Sequence, residues 1–310
     1  MPDVFERFFS DFNKKPSDYY TLEKLNPAYS VYFGKDDYIT IEDTLNKISI
    51  AFEKEEPGSS KKLNKFIDNA KSNYDIAIKD LVYNPGVSPL ELVTPATIKK
   101  LNQFFSNIKR DVRKEFKNDR LVKILEFPVL FLGAKPSDTP SFYSFMNYAD
   151  FALGTFHPKK GMYQVILAIE SLAKELGVKI KTKAPIESII VNDGVSKGVI
   201  CKGKEYLSDI VVSGADYHHT ETLIDQKYRQ YSENYWSKKT FAPSSLLFYV
   251  GFDKKLVNVN HHTLFFDVDF DVHAEDIYDD PKWPENPLFY ASFPSKTDSS
   301  TAPDGKEAGI

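Results

Sequence analysis

Two groups of side chains in the sequence have the chemistry of metal ligands: an acidic run that starts at Asp267, and two pairs of adjacent histidines. Asp267, Asp269 and Asp271 match the first three ligand positions of an EF-hand loop. The sixth position needs glycine and holds Val272, and the twelfth needs glutamate and holds Tyr278. Such a loop could neither turn sharply nor close its ligand cage. We therefore interpret the run as a solvated acidic surface.

The histidine pairs are His218–His219 and His261–His262. Neighbouring residues point to opposite faces of a strand and lie about 100° apart on a helix, so neither pair is suited to chelation. The sequence contains no Gly-x-Ser-x-Gly motif, and its single cysteine, Cys201, has no activating neighbour. We predict neither a metal site nor a catalytic nucleophile. One cysteine also excludes an internal disulfide, which fits a reducing cytoplasm.

Residues 161–216 predict a helix followed by strands, with Gly177 placed where a left-handed residue would end the helix. The apolar face of this helix consists of Met162, Val165, Ile166, Ile169, Leu172, Ala173 and Leu176. We predict strands at 178–181, 186–191, 196–201 and 209–213, with turns at 192–194 and 202–203. The last strand has a continuously apolar centre and ends at Gly214-Ala215-Asp216. This pattern suits a nucleotide-binding fold, whose ligand lies at the carboxyl ends of buried strands.

The flanking segments predict a mixture of helices and short strands, and the fold class is therefore α+β. An amphipathic helix at 4–12 carries phenylalanines that we expect in the core. The runs 29–33 and 38–41, separated by the polar turn 34–37, predict a hairpin. Helices are predicted at 41–52, 59–81 and 94–108, and strands at 244–251 and 263–266. The densely charged run 109–120 is interpreted as a solvated helix face, with contact to anionic lipid as the alternative.

Composition excludes several classes of function. The chain has 310 residues and a net charge of -4, so it has no electrostatic basis for binding nucleic acid. Its longest apolar runs, 127–134 and 245–252, are far shorter than the ~20 residues that span a bilayer. Aromatic residues make up 14% of the sequence, which suits either a long apolar ligand or a core built from Phe and Tyr.

Several long motifs resemble one family: they are Phe127-Pro-Val-Leu-Phe-Leu-Gly133, Met146-Asn-Tyr-Ala-Asp150, Gly161-Met-Tyr163, Ala184-Pro-Ile-Glu-Ser-Ile189 and Val212-Ser-Gly-Ala-Asp216. In this order they resemble the bacterial-type phytoene desaturases, which are FAD-dependent carotenoid desaturases of the amine-oxidase-like flavoprotein superfamily. The resemblance continues through 261–266 and 294–298 and back to 1–5. It therefore covers essentially the whole chain.

The resemblance implies a bound FAD and a Rossmann-like segment at 159–216, inserted into a substrate domain made of 1–158 and 217–310. Residues implied to lie near FAD are Gly161, Met162, Ile186, Glu187, Gly214, Ala215 and Asp216. Where the family tends to have two glycines after the proline, this chain has Lys160-Gly161. In the implied arrangement, the start of the helix that follows serves the cofactor.

The same resemblance implies a tunnel for phytoene or a related long isoprenoid. Candidate tunnel residues are Phe131, Phe142, Tyr143, Phe145, Met146 and Tyr148. Glu91 lies about where family members carry an acidic residue, which makes it the candidate acid or base. The alternative for Glu91 is an ordinary exposed carboxylate at a helix start.

The sequence lacks the Gly-x-Gly-x-x-Gly motif with which dinucleotide-binding flavoproteins begin. We therefore expect the chain to be the central part of a longer enzyme and to be inactive alone. By resemblance, we expect a cytoplasmic protein that associates peripherally with membranes. The alternatives are a non-catalytic isoprenoid-binding remnant, a carotenoid isomerase or saturase, and a flavin amine oxidase.

Overall fold

The computed structural model describes all 310 residues, which form two compact units. The larger unit comprises Met1–Ser171 and Pro243–Ile310, and the smaller unit comprises Leu172–Ala242. The helices are α1 (Pro2–Ser10), α2 (Leu45–Glu55), α3 (Ser59–Lys79), α4 (Pro95–Ile98), α5 (Leu101–Phe105), α6 (Ile108–Glu115), α7 (Asp119–Glu126), α8 (Phe145–Tyr148), α9 (Tyr163–Glu175), α10 (Tyr217–Thr222), α11 (Glu233–Trp236) and α12 (Phe270–Tyr278). The strands are β1 (Leu22–Lys24), β2 (Tyr29–Gly34), β3 (Asp37–Ile41), β4 (Phe156–Pro158), β5 (Ile186–Asn192), β6 (Val195–Cys201), β7 (Lys204–Leu207), β8 (Val250–Phe252), β9 (His262–Phe265), β10 (Phe289–Ser292) and β11 (Glu307–Gly309).

The main sheet of the larger unit has the strand order β10-β9-β2-β3. β2 and β3 form the predicted antiparallel hairpin, and β9 runs parallel to β2, so that Ser30 lies opposite Thr263. The predictions of strands at 29–33, 38–41 and 263–266 are confirmed. The sheet thus joins two segments that are more than 200 residues apart in the sequence.

One hydrophobic cluster connects this sheet to α2, α3, α6 and α7. The rings of Phe116 and Phe151 pack edge to face against Phe52, at centroid distances of 6.3 and 5.9 Å. Phe127 and Val129 belong to the same cluster, although they lie in the helical turns that follow α7. The cluster therefore fixes the two segments, 127–132 and 149–153, that bear the walls of the cavity described below.

The charged run 109–120 is only partly the solvated face that its sequence predicts. Its helix, α6, ends at Glu115, and Phe116 turns into the core. Arg113 makes a two-point ion pair with the fully buried Glu126, with distances of 2.8 and 3.0 Å from its nitrogens to the carboxylate oxygens. Asp271 also pairs with Arg113 and lies 2.9 Å from Lys109. Much of the positive charge is thus neutralised within the protein rather than presented to solvent.

Two helix predictions need correction. The pattern at 94–108 predicts one helix, but the structure has two short helices there, α4 and α5, and α6 begins only at Ile108. The break before α6 arises because Ser106 is extended and Asn107 caps the new helix by accepting a hydrogen bond from Arg110 N. α1 forms as predicted, but of its phenylalanines only Phe9 is fully buried. No helix is both long enough and apolar enough to cross a membrane.

The smaller unit contains the C-terminal part of α9 and an antiparallel sheet of order β5-β6-β7. The turns at Asp193-Gly194 and Lys202-Gly203 have positive φ at both residues, as tight hairpin turns require. Gly177 has φ 83° after the end of α9. The predictions of this helix, its left-handed cap, strands β5 and β6, and both turns are confirmed.

Three predicted strands are absent or nearly so. Residues 178–181 and 209–213 form no strand, and of 244–251 only the last two residues belong to β8. A strand exists only where a neighbouring strand supplies backbone partners, and these segments have none in the chain. Their apolar side chains are exposed, to the extent of 88% for Val212. The prediction of strands in these segments, which relied on their apolar sequence alone, was therefore wrong.

Candidate active site

A cavity of about 610 Å³ lies within the larger unit. It is bounded by α1, β1, β2, the turns at 127–132, α8, the turn at 149–153, β4, the start of α9, β9 and β10. Its lining residues are Met1, Pro2, Phe5, Tyr20, Leu22, Tyr29, Phe127, Pro128, Phe131, Leu132, Phe145, Met146, Ala149, Asp150, Gly154, Thr155, Phe156, Pro158, Met162, Val165, His262, Leu264 and Tyr290. This volume lies within the range of small-molecule binding sites, ~300–1,000 Å³.

Aromatic rings form much of the wall. Phe127 packs edge to face against Tyr29 and against Phe131, with both centroid distances at 5.8 Å. Pro128 restricts the backbone of this turn, and Gly133 ends it in the left-handed region at φ 70°. The result is a rigid apolar surface whose rings are held by their neighbours.

Three of the six candidate tunnel residues line the cavity: Phe131, Phe145 and Met146. Phe142 lies behind this wall, stacked on Phe104 at 4.7 Å and in contact with Phe145. Tyr143 packs on Phe145, and Tyr148 packs on the buried Tyr74. The last three residues thus support the wall instead of forming it, and contact of any of the six with a substrate stays a prediction.

Asp150 is the only carboxylate that lines the cavity. The Tyr29 hydroxyl donates a 2.6 Å hydrogen bond to Asp150 Oδ2. Burial raises the pKa of Asp150 to about 6, and the Tyr29 hydrogen bond offsets part of that increase. Burial and the adjacent carboxylate also raise the pKa of Tyr29 well above its usual value, so the phenol stays a donor. A carboxylate whose pKa lies near neutrality can accept a proton reversibly.

Three imidazoles cluster beside the cavity. The ring centroid of His261 lies 4.6 Å from that of His157 and 4.4 Å from that of His262. His262 Nδ1 is 2.5 Å from the hydroxyl of Tyr290, and both of these side chains line the cavity. Burial, together with repulsion by neighbouring imidazoles, lowers the pKa of His262 to about 4 and that of His261 to about 3. Both rings are therefore neutral near pH 7.

Glu91, the candidate acid or base, does not line the cavity. Its carboxylate accepts hydrogen bonds from the backbone nitrogens of Gly86, Val87 and Ser88, at 2.8, 2.9 and 3.0 Å. These hydrogen bonds lower the pKa of Glu91, and the bond from Gly86 has the largest effect. The structure thus shows Glu91 as the capping carboxylate of a short helical turn, and a catalytic role for it stays an untested prediction.

The residues predicted to lie near FAD fall in both units. Met162 lines the cavity, and Gly161 precedes it with φ 95°. In the smaller unit, Glu187 on β5 accepts a 3.2 Å bond from Gly203 N, and Ile186 is exposed. Asp216 caps α10 by accepting a 3.0 Å bond from His219 N, directly after Gly214 and Ala215.

The backbone is accessible to a ligand at two of these positions, one in each unit. A Cβ added at Gly161 or at Gly214 would meet no heavy atom within 4 Å, so a ligand could approach the backbone at either position. Open backbone suits contact with a nucleotide, but the sequence has no glycine-rich pyrophosphate loop. The chain therefore offers contacts at a few backbone positions and not a whole dinucleotide site. No group of three or more His, Cys, Asp or Glu side chains is arranged to hold a metal ion.

Sequence reasoning missed Asp150, Tyr29, His262 and Tyr290 as functional candidates. Asp150 is the last residue of the motif Met146–Asp150, and this position could have identified it as a functional candidate. Tyr29 lies 121 residues before Asp150 in an ordinary strand pattern, so nothing local identifies it.

Comparisons with known proteins show similarity to flavoproteins and carotenoid desaturases. Residues 90–306, more than half of the chain, match the family described as flavin containing amine oxidoreductase. The carotenoid 3,4-desaturase of Haloarcula japonica is 36% identical over 311 residues, which cover 98% of this chain and 62% of that protein. The zeta-carotene-forming phytoene desaturase of Myxococcus xanthus is 29% identical over 312 residues, covering 99% of this chain and 60% of that protein.

Two solved structures share the fold. An oxidoreductase from Methanosarcina mazei superimposes with a TM-score of 0.55 at 15% identity, covering 99% of this chain and 63% of that one. A protein from Pyrococcus furiosus gives a TM-score of 0.51 at 16% identity, covering 94% and 60%. The α+β flavoprotein class and the resemblance to carotenoid desaturases are thereby confirmed, and the chain spans about three fifths of the length of these proteins. The match over residues 90–306 shows that the chain belongs to the flavin-containing amine oxidoreductase family.

Proposed function

We propose that this chain forms the substrate-binding part of an FAD-dependent enzyme that desaturates phytoene or a related carotenoid. The observation that carries the proposal is the 610 Å³ cavity, which is walled by apolar and aromatic side chains and contains one carboxylate. Relatives named as carotenoid desaturases match the chain over 98–99% of its length. A long hydrocarbon needs this kind of surface, because it offers few groups for hydrogen bonding.

Desaturation removes one hydrogen from each of two adjacent saturated carbons. FAD, when bound, supplies the acceptor for the hydride, which leaves with the electron pair of its C–H bond. The second hydrogen leaves as a proton, and the electron pair of that bond becomes the new π bond. The chain must therefore bind and orient the hydrocarbon, exclude water and accept one proton.

Asp150 is the side chain best placed to accept the proton. It is the only carboxylate that lines the cavity, and its pKa of about 6 leaves it mostly ionised at pH 7 while keeping it basic enough to take a proton. The hydrogen bond from Tyr29 holds Oδ2 in place at 2.6 Å. Glu91 is bound to three backbone nitrogens and lies outside the cavity, which favours Asp150 over it.

Peripheral association with a membrane is part of the proposal. Carotenoid precursors dissolve in lipid, and an enzyme that takes them up gains from contact with the bilayer. No helix of the chain can span a membrane, so such contact would be made at the surface. We expect residues 159–216 to bind the cofactor and residues 1–158 and 217–310 to bind the substrate.

Filling the cavity tests the proposal. Ala149 lines the cavity, so Ala149→Trp should exclude a hydrocarbon, whereas Val195→Trp replaces an exposed side chain in the smaller unit and serves as the matched control. Each protein is equilibrated with phytoene in detergent micelles, separated from them by size exclusion, and extracted for quantification. We expect the unsubstituted chain and Val195→Trp to retain phytoene and Ala149→Trp to retain little. Equal retention by all three proteins would refute the cavity as the substrate site.

Turnover distinguishes the alternatives. In a flavin-loaded enzyme that contains this chain, phytoene should yield a product with a longer conjugated system, detected by its absorbance. Retention of phytoene without any such product in that enzyme would instead support a non-catalytic isoprenoid-binding protein. Oxidation of primary amines without change to phytoene would support a flavin amine oxidase.

A further inference from the structure

The segment from Val82 to Phe105, which we call the apolar rim, exposes a dense set of large apolar side chains. They are Val82, Tyr83, Val87, Leu90, Leu92, Val93, Ile98, Leu101 and Phe105, with exposures that reach 83% at Val87 and 82% at Phe105. Only three residues of the segment carry a charge at pH 7: Glu91, Lys99 and Lys100. Contiguous apolar exposure of this kind marks an interaction surface.

The apolar rim is attached at both ends to elements that line the cavity. At its start, the Arg7 guanidinium of α1 lies 3.3 Å from the ring centroid of Tyr83, and α1 also places Phe5 in the cavity wall. At its end, Phe104 stacks on Phe142, which in turn contacts the cavity residue Phe145. A surface that binds the apolar rim is therefore brought next to the cavity.

Many backbone N–H groups of the apolar rim find their hydrogen-bond acceptors within the segment itself. The tip at Gly86, Val87 and Ser88 donates all three of its backbone N–H groups to Glu91. Thr94 and Thr97 cap each other's backbone nitrogens reciprocally, and helical turns occupy 89–92, 95–98 and 101–105. Hydrocarbon offers no partners for backbone groups, so a segment that enters lipid must satisfy them internally.

A second exposed apolar stretch, 244–250, lacks this property. Leu246, Leu247, Phe248 and Tyr249 are exposed but belong to no helix or strand, so their backbone groups lack the internal hydrogen bonds that insertion into lipid requires. The basic run 109–120 is also a poor lipid contact, because Arg113 and Lys109 are engaged by Glu126 and Asp271.

We propose that the apolar rim, residues 82–105, is a docking surface that inserts its side chains into the interface of a lipid bilayer and brings the cavity against the membrane. Within the same segment Lys99 is exposed and Lys100 is half-buried, and lysines at the edge of an apolar surface can bind lipid phosphates. The proposal rests on the proposed function in one respect: a hydrocarbon substrate gives the contact its purpose. Insertion is driven by burial of apolar area and depends little on salt.

The test is flotation of the 310-residue chain with vesicles of phosphatidylcholine that contain no carotenoid. The double variant Val87→Asp/Leu90→Asp removes two exposed side chains of the apolar rim, and Leu246→Asp/Phe248→Asp is the matched control in the stretch 244–250. Loss of a buried apolar side chain weakens partitioning about tenfold, so we expect about a 100-fold loss for the first variant and little change for the control. Binding of the unsubstituted chain should persist at high salt.

Three outcomes would overturn the proposal. They are unchanged flotation of Val87→Asp/Leu90→Asp, a loss confined to Leu246→Asp/Phe248→Asp, and a change in the oligomeric mass of Val87→Asp/Leu90→Asp without vesicles, which would make the rim a protein interface. Because the vesicles hold no carotenoid, failure here leaves the phytoene retention experiment unaffected. Circular dichroism of each variant verifies that the exposed substitutions leave the fold intact.

Discussion

Replacing Asp150 by asparagine should make the protein more stable and less active. The pKa of Asp150 rises from its ordinary value of 3.8 to about 6 in the folded chain, chiefly because burial penalises the carboxylate. The folded state therefore binds this proton more tightly than the unfolded state does. The stabilisation that this proton provides is complete below pH 3.8 and is lost as the pH rises through 6.

The size of the effect follows from the same values. The difference between 3.8 and about 6 corresponds to about 3 kcal/mol, which is the cost of keeping Asp150 ionised in the folded state above pH 6. Asparagine carries no charge and can still accept the Tyr29 hydrogen bond. We therefore expect Asp150→Asn to raise the free energy of unfolding by up to about 3 kcal/mol at pH 8 and by little at pH 4.

Hydrogen exchange of the β2 and β9 amides, followed by mass spectrometry, reports this free energy for the larger unit. Tyr29→Phe is the informative companion, because it removes the donor at 2.6 Å and should raise the pKa of Asp150 further. In the flavin-loaded enzyme, Asp150→Asn should lower turnover by about 10²–10⁴-fold, and Tyr29→Phe should move the acidic limb of the pH profile upward. An Asp150→Asn protein that is less stable than the parent at pH 8, or equally active, would refute the reasoning.

Three further predictions concern stability. Arg113→Met leaves the fully buried Glu126 without its partner and should cost about 3–5 kcal/mol in urea unfolding, most of which is recovered by adding Glu126→Leu. Gly198 has φ 145°, and Gly198→Ala would place a Cβ 2.1 Å from a backbone oxygen of β7. This variant should destabilise the smaller unit by about 3 kcal/mol or more, measured by hydrogen exchange. The control Gly194→Ala has open space around its Cβ and should cost about 1 kcal/mol. The pKa of His261 is about 3 in the folded chain and 6.5 in the unfolded chain, so its contribution to stability is complete above pH 6.5. Below that pH the free energy of unfolding falls by about 1.4 kcal/mol per pH unit, because the unfolded chain binds the proton more tightly. Between pH 7 and pH 5, His261→Asn should therefore lose less stability than the parent in urea titrations.

Local signals in the sequence were sufficient for elements that depend on local interactions. The hairpin turns at 193–194 and 202–203 need positive φ, which Asp-Gly and Lys-Gly supply, and Gly177 ends α9 for the same reason. The β2–β3 hairpin follows from two runs of strand-forming residues separated by a polar turn. The motif match correctly indicated the family, because several long segments in fixed order are far more specific than any one of them.

The rest depends on contacts between distant residues. The apolar runs at 178–181 and 209–213 read as strands, but no neighbouring strand in the chain pairs with them. The charged run 109–120 reads as solvated, yet Glu126 and Asp271 reach Arg113 from 13 and 158 residues away. The pair Tyr29–Asp150 likewise forms across 121 residues, so the candidate proton acceptor became visible only in the folded chain.

The methionines offer the most direct test of the cavity as the carotenoid site. The chain has three, and all of them, Met1, Met146 and Met162, line the cavity. Protein labelled with ¹³C at the methionine methyl groups gives three reporter signals, which can be followed as a carotenoid is added in detergent. We expect all three signals to shift and Met146 to show intermolecular nuclear Overhauser effects to the polyene. Binding of the carotenoid with all three methyl signals unchanged would show that the cavity is not the carotenoid site.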